Sequence, residues 1–278
     1  MAENKIRSLL LRDSALIMGI LNVTPDSFSD GGRFSCADAA LSQALTLVDE
    51  GADIIDIGGE STRPGADKVA EQEELDRVIP IIERLAKESD VAISVDTYKP
   101  IVMREALDAG ASMVNDVNGL RASGAVQLLA TMKVPVCIMH MQGQPESMQA
   151  SPRYSNVVEE LGTFFYQRIE ECTQAGISKK DIFIDPGIGF GKTLKHNLQL
   201  LANVMDLRES SGCEILVGVS RKSLINDLFN RAVDQRLHAS LGLAVQAVLN
   251  GAKIVRVHDV RASFDAIRSV EAVSREIK

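Results

Sequence analysis

Polar side chains that can bind a small molecule recur at the ends of short apolar runs along this chain. The acidic and amide members of this set are Asp56, Asp96, Asn115, Asp116 and Asp185. Carboxylates accept hydrogen bonds in pairs and asparagine both donates and accepts, so these residues suit a flat heterocycle with adjacent N–H donors and a carbonyl. A pterin or a related base has this pattern.

A second set of strand-end residues is basic or polar and suits an anion. Its members are Asn22, Arg63, Ser220, Lys222, Arg256 and His258. Arginine binds phosphate or carboxylate groups bidentately, whereas lysine supplies a compact charge. The combination predicts a site for a heterocycle that carries an anionic leaving group.

Several of these residues also have a purely structural interpretation. Asp56 and Asp116 are explained equally well as residues that satisfy loop backbone at strand ends. His140 is likewise explained equally well by a structural role and by a functional one. Arg221 is expected to form a surface salt bridge. The segment from Asp185 to Thr193 resembles a phosphate-binding loop because it ends in Gly-Lys-Thr, but proline stands where the first glycine of that motif belongs.

The elements that must position these side chains are eight apolar runs, each read as a buried strand. They are Ile17–Leu21, Ile54–Ile57, Ala92–Val95, Met113–Val114, Val136–Met139, Ile182–Ile184, Ile215–Val219 and Ile254–Val255. Amphipathic helical runs are expected between them at Ala37–Glu50, Gln72–Lys87, Lys99–Ala109, Val157–Ala175, Asn197–Ser210 and Leu237–Leu249. This alternation predicts a single-domain (β/α)₈ TIM barrel over residues 1–278, with its active site at the carboxyl ends of the strands.

Composition narrows the classes of partner. The net charge of −8 and the absence of a basic tract disfavour a broad nucleic-acid or membrane surface. No apolar run reaches membrane-spanning length, and the four cysteines lack a metal-binding or disulfide spacing. We therefore expect a cytoplasmic protein with reduced thiols.

The ordered blocks of the chain resemble the dihydropteroate synthase family of pterin-binding enzymes. They read IMGILNVTPDSFSDGG, GADIIDIGGESTRPGA, SVDTYKP, ND, MHMQG, DPGIGFGKT, GVSRKS and RVHDV. The resemblance implies condensation of 6-hydroxymethyl-7,8-dihydropterin pyrophosphate with p-aminobenzoate, which releases pyrophosphate and 7,8-dihydropteroate. It also implies Mg²⁺ as cofactor, sulfonamides as competitors and a homodimer formed through the helices of the later barrel units.

The resemblance implies roles for individual residues. The pterin would lie against Asp96, Asn115, Asp185, Met139, Phe190, Lys222 and Arg256. The pyrophosphate would be bound by Asn22, Arg256 and His258, with Asn22 also contacting Mg²⁺. The p-aminobenzoate and its enclosing loops would involve Phe28, Ser61, Thr62, Arg63, Pro64 and Ser223. Asn22, Arg63, Lys222, Arg256 and His258 are the expected catalytic residues.

Neither a strong base nor a nucleophile stands among the matched residues, which favours a dissociative substitution that depends on leaving-group departure. The alternatives are a folate-binding barrel of a corrinoid methyltransferase, a non-catalytic synthase paralogue and a barrel aldolase with a Schiff-base lysine. The methyltransferase would need neither the Ser-Thr-Arg-Pro loop nor the Arg256 and His258 pair. A non-catalytic paralogue should have lost some of these residues. The aldolase needs its lysine within a strand, whereas Lys222 is expected on a loop. One departure from the family, Pro145-Glu146-Ser147 after the MHMQG block, leaves the role of that loop open.

Overall fold

The computed structural model describes residues 4–24, 33–61, 68–143 and 148–276, without the side chains of residues 33–36. Its strands are all parallel and close into one barrel in chain order. They are β1 (Leu16–Asn22), β2 (Ile54–Gly58), β3 (Ala92–Asp96), β4 (Met113–Asp116), β5 (Val136–Met139), β6 (Ile182–Asp185), β7 (Glu214–Gly218) and β8 (Ile254–Val257). The predicted TIM barrel is confirmed.

Helices follow the strands on the outside of the barrel. The described residues contain α1 (Lys5–Leu10), α2 (Arg33–Asp49), α3 (Glu71–Glu88), α4 (Pro100–Asp108), α5 (Ala125–Met132), α6 (Val157–Gln174), α7 (Leu194–Ala202), α8 (Val204–Ser211), α9 (Ser223–Phe229), α10 (Leu237–Leu249) and α11 (Val260–Glu276). The run predicted as one helix at Asn197–Ser210 is two helices that meet at Asn203, whose backbone leaves the helical region. Helices α1, α5, α9 and α11 were not predicted.

Side chains along each strand alternate between the barrel interior and the surrounding helices. The interior cluster contains Leu16, Met18, Ile54, Ala92, Met113, Cys137, Phe183, Leu216 and Ile254. Stepping by two residues from this cluster toward the carboxyl ends leads to Asp56, Asn115, Met139, Asp185 and Arg256. The alternation that fills the core therefore also aims these side chains into the mouth of the barrel.

Helix α1 covers the opposite end of the barrel. Ile6 is fully buried in the interior cluster. Asn4 donates a hydrogen bond to the carbonyl of Ser112, and Arg7 donates to the carbonyl of Lys133 and to the carboxylate of Asp181. In the part of the chain that the structure describes, no helix combines the length and the apolar character needed to cross a membrane.

Candidate active site

Arg256 lies at the centre of the barrel mouth and joins two strands through their carboxylates. Its Nε donates to Oδ2 of Asp56 at 2.6 Å, and a terminal nitrogen donates to Oδ2 of Asp96 at 2.7 Å. Asn115 donates from Nδ2 to the same oxygen of Asp56 at 3.1 Å. Strands β2, β3, β4 and β8 thus contribute one connected polar group, and the guanidinium is positioned before any ligand arrives.

Burial and charge act against each other in this group. Burial raises the pKa of Asp96 above its ordinary value, while the charge of Arg256 opposes that shift. Burial lowers the pKa of Arg256, but Asp56 and Asp96 outweigh this effect and raise it overall. The Oδ1 atom of Asp56 is buried without a hydrogen-bond partner in the described residues, so an acceptor is left over at the floor of the site.

Asp185 and Lys222 form the side of the mouth that is built by β6 and β7. Asp185 accepts the backbone N–H of Gly187 at 2.7 Å through Oδ1, and Lys222 donates to the carbonyl of Ile188 at 2.5 Å. Burial lowers the pKa of Lys222 to about 8, and the negative charge of Asp185 works against that change. Burial also raises the pKa of Asp185, against the charge of Lys222. The opposite charges of Asp185 and Lys222 therefore each favour the ionised form of the other, against the effect of burial.

An apolar cluster completes this side of the mouth. Its members are Val117, Met139, Met141 and Met148, with Tyr98 and Phe190 packed against them. The ammonium group of Lys222 lies 4.8 Å from the centre of the Phe190 ring. Met139 and Phe190 were expected at this wall from the family resemblance, whereas the other members were not predicted. A methionine two residues after Met139 was the available signal, because alternate residues of an extended chain share a face.

The expected anion site lies at the ends of β1, β7 and β8. The side chain of Asn22 is half-buried and has no hydrogen-bond partner among the described residues. Ser220 is buried, and its Oγ accepts the backbone N–H of His258 at 3.1 Å while lying 3.1 Å from Nδ1 of the same histidine. Ser223 is exposed at the first position of α9. These residues lie at the carboxyl ends of the strands, as predicted.

The structure separates the residues whose role sequence analysis left open. Asp56 faces the site, whereas Asp116 faces the helices and accepts the backbone N–H groups of Asn118 and Leu120. Arg221 forms the expected salt bridge, with Asp259. Asp116 and Arg221 therefore both have structural partners within the protein.

Four of the predicted loop residues, Phe28, Thr62, Arg63 and Pro64, lie outside the described residues, as does Glu146-Ser147. Ser61 is partly buried at the edge of the described chain after β2. The predictions for these residues stay predictions.

Replacing Asp185 with asparagine should weaken pterin binding by about 1.5–3 kcal/mol, because an isosteric amide puts a donor where the carboxylate accepted charge-assisted hydrogen bonds. Calorimetric titration with dihydropterin pyrophosphate measures the effect. Asp206→Asn, an exposed change on α8, is the control. Equal affinity in Asp185→Asn and wild type would remove Asp185 from the pterin site.

Comparison with known proteins agrees with this geometry. Residues 18–258 match the family described as pterin binding enzyme. Dihydropteroate synthase from Haemophilus influenzae is 50% identical over 258 residues, which are 93% of this chain and 94% of that relative.

Solved structures show the same likeness. The crystal structure of Yersinia pestis dihydropteroate synthase with a sulfonamide drug complex has a TM-score of 0.89 and 50% identity, covering 94% of this chain and 95% of that one. The Xanthomonas albilineans enzyme in complex with 7,8-dihydropteroate has a TM-score of 0.86 and 46% identity, covering 94% of each chain. The same enzyme with 4-aminobenzoic acid has a TM-score of 0.89 and 48% identity over 94% of each chain. The fold, the polar mouth of the barrel and these likenesses together show that the chain belongs to the dihydropteroate synthase family of pterin-binding enzymes.

Proposed function

We propose that this chain condenses 6-hydroxymethyl-7,8-dihydropterin pyrophosphate with p-aminobenzoate to form 7,8-dihydropteroate and pyrophosphate in folate biosynthesis. The observation that carries the proposal is the preformed group of Arg256, Asp56, Asp96 and Asn115 beside Asp185 and Lys222. This group of residues offers acceptors for the pterin N–H groups and cations for the leaving group, all within the mouth of the barrel. The corrinoid methyltransferase, paralogue and aldolase alternatives have no comparable support.

The geometry favours a dissociative substitution. The C–O bond between the methylene carbon and the pyrophosphate breaks first, and its electron pair leaves with pyrophosphate, which Arg256 and His258 stabilise. The pterin ring, held by Asp96 and Asp185, donates electron density to the methylene cation. The amine of p-aminobenzoate then forms the C–N bond and loses a proton.

Mg²⁺ fits the anion end of the site as a ligand shared with pyrophosphate. Asn22 offers an amide oxygen there, and no group of three His, Cys, Asp or Glu residues in the described ranges is arranged to hold a metal ion. Magnesium commonly takes one or two protein ligands and completes its octahedron with phosphate oxygens and water. When bound, it would neutralise charge on the departing pyrophosphate.

The direct test of the function is incubation of the purified chain with dihydropterin pyrophosphate, p-aminobenzoate and Mg²⁺, followed by detection of dihydropteroate. Product should form, and a sulfonamide should inhibit competitively with p-aminobenzoate, as the sulfonamide complex of the Yersinia enzyme suggests. Absence of product would overturn the proposal. A cytoplasmic location fits this biosynthetic role.

Arg63→Ala should divert bound pterin pyrophosphate toward hydrolysis, because the resemblance places Arg63 in a loop that encloses the second substrate and excludes water from the cation. The ratio of hydroxymethyl-dihydropterin to dihydropteroate at saturating p-aminobenzoate measures this effect. We expect a higher ratio than in wild type, with the melting temperature unchanged. Lower turnover at a constant ratio would leave Arg63 as an ordinary substrate-binding residue.

A homodimer is the expected assembly. Exposed apolar side chains occur on α7 to α10, namely Leu198, Met205, Leu228, Phe229 and Leu249. Two-fold symmetric dimers bury the same patch of both subunits, and apolar side chains on these helices would suit such an interface. Sedimentation equilibrium should give twice the chain mass of 30.1 kDa, and a monomer at micromolar concentration would contradict the assignment.

A further inference from the structure

The lysine of the Gly-Lys-Thr sequence is turned into the protein. Lys192 is 3% exposed, and its ammonium group lies 3.0 Å from Nδ1 of His140, 3.2 Å from the carbonyl oxygen of His140 and 3.0 Å from the carbonyl oxygen of Phe190. An ammonium group has three donors, and here each faces one acceptor. The side chain is therefore fully engaged within the protein and is not available to a phosphate.

His140 supplies an acceptor only if its imidazole is neutral. Burial, together with the charges of Lys192 and Arg121, lowers the pKa of His140 to about 3. Burial lowers the pKa of Lys192 to about 7, opposed by Asp185 and assisted by the charge of Lys222. The contact thus joins a protonated lysine to the lone pair of a neutral histidine near pH 6.

The Lys192 ammonium group joins two segments, residues 140–142 after β5 and residues 187–191 after β6, which are in direct backbone contact. A Cβ atom added to Gly187 would lie 1.9 Å from the carbonyl oxygen of His140, and one added to Gly191 would lie 2.5 Å from that of Gln142. Both glycines have φ of +65°, which disfavours any side chain. The backbone after β5 therefore lies directly against the backbone after β6, and the Lys192 ammonium group lies at this contact, with one carbonyl oxygen from each segment among its acceptors.

Both segments carry predicted pterin contacts. Met139 directly precedes His140, and Asp185 accepts the N–H of Gly187 in the second segment. The backbone N–H of His140 also donates to the carbonyl of Asp185 at 3.0 Å. Phe190, whose carbonyl accepts from Lys192, turns its ring toward the apolar wall and Lys222. The lysine therefore lies at the junction between two sides of the expected pterin pocket.

We propose that Lys192 is a positioning residue for pterin binding: its buried ammonium group holds the segments after β5 and β6 together and so keeps Met139, Asp185 and Phe190 in register. This inference rests on the proposed function. Lys192 itself need not touch the substrate.

The test is Lys192→Met, which keeps the length and apolar stem of the side chain and removes the ammonium group. Lys195→Met is the matched control, because Lys195 is exposed on α7 and its loss changes the net charge equally. The measurements, made at pH 6 where Lys192 is protonated, are the Kd for dihydropterin pyrophosphate by calorimetry, the KM for p-aminobenzoate, kcat and the melting temperature. We expect the pterin Kd to rise by roughly tenfold or more, with the KM for p-aminobenzoate within about twofold of wild type.

A purely structural role would lower the melting temperature and the active fraction but would leave the pterin Kd of the folded protein unchanged, and that result would overturn the proposal. His140→Phe is the second variant in case Lys192→Met does not fold. It keeps a ring in contact with Phe164, which now lies 4.9 Å from the imidazole, and removes one of the three acceptors. A smaller rise in the pterin Kd would support the proposal, and an unchanged Kd would contradict it.

Failure of the proposed function gives a different result. If wild type does not bind dihydropterin pyrophosphate, the pterin-binding assignment itself fails. If wild type binds it and Lys192→Met binds equally well, only the positioning role fails.

Discussion

Replacing Arg256 with lysine is expected to lower kcat by about 10²–10³-fold, the usual cost of losing one donor to developing negative charge. Lysine retains the charge but cannot reproduce two hydrogen bonds at 2.6 and 2.7 Å to carboxylates on different strands. An ammonium group offers all its donors from one atom, so it cannot match the planar spacing of Nε and the terminal nitrogen, and at least one of the two carboxylates loses its close partner. Leaving-group stabilisation and the geometry of the pterin site should then be lost together.

Steady-state turnover and the Kd for dihydropterin pyrophosphate check this prediction. Arg261→Lys is the control, since Arg261 is exposed on α11 and donates to the carbonyl of Asp49. Circular dichroism should show an intact barrel in both variants. Near-normal turnover in Arg256→Lys would mean that positive charge alone is sufficient and that the planar guanidinium has no special role.

Replacing Lys99 with methionine is expected to lower the free energy of unfolding by about 3–5 kcal/mol, the cost of breaking a buried ion pair from one side. Lys99 donates to Glu60 and Glu74 at 2.5 Å each and to the carbonyl of Val69 at 2.6 Å. Glu74 is 1% exposed, so its carboxylate cannot recover its hydration when the ammonium group is removed. The variant therefore retains two nearly buried carboxylates that have lost the ammonium group they share.

Urea unfolding followed by circular dichroism measures the difference. Lys87→Met removes an exposed lysine from α3, the helix that also carries Glu74, and should change the free energy of unfolding by less than about 0.5 kcal/mol. If Lys99→Met lowers the free energy of unfolding by less than about 1 kcal/mol, the carboxylates of Glu60 and Glu74 must rearrange or become hydrated when the ammonium group is removed. Restoring stability with Lys99→Met/Glu74→Gln would support the unpaired charge as the cause.

The architecture and most of the site residues could be predicted from local patterns in the chain. Apolar runs of strand length alternated with helical runs, and parallel strands in a closed barrel bring their carboxyl ends to one face. Asp96, Asn115, Asp185 and Arg256 could therefore be placed together before the structure was known. Gly51, Gly110, Gly176 and Gly251 each follow a helix and have positive φ, the conformation in which glycine commonly ends a helix.

The roles of Asp56 and Asp116, which the sequence left open, required the tertiary structure. Asn115 and Asp116 are neighbours and must point to opposite sides of β4, but the local pattern does not say which one points inward. The strand register settles the question. Asn115 pairs with Asp96, whose side chain faces the interior, so Asn115 also faces the interior and Asp116 faces the helices. The same period-two alternation brings Asp56 inward on β2, where sequence analysis left its role undecided.

The buried ion clusters also required the tertiary structure. His140 and Lys192 are 52 residues apart, and Lys99 is 39 residues from Glu60. Local periodicity reports which face of an element is apolar, but it does not report which distant charge a buried lysine meets. Those pairings follow from barrel closure, which places the loops after successive strands side by side.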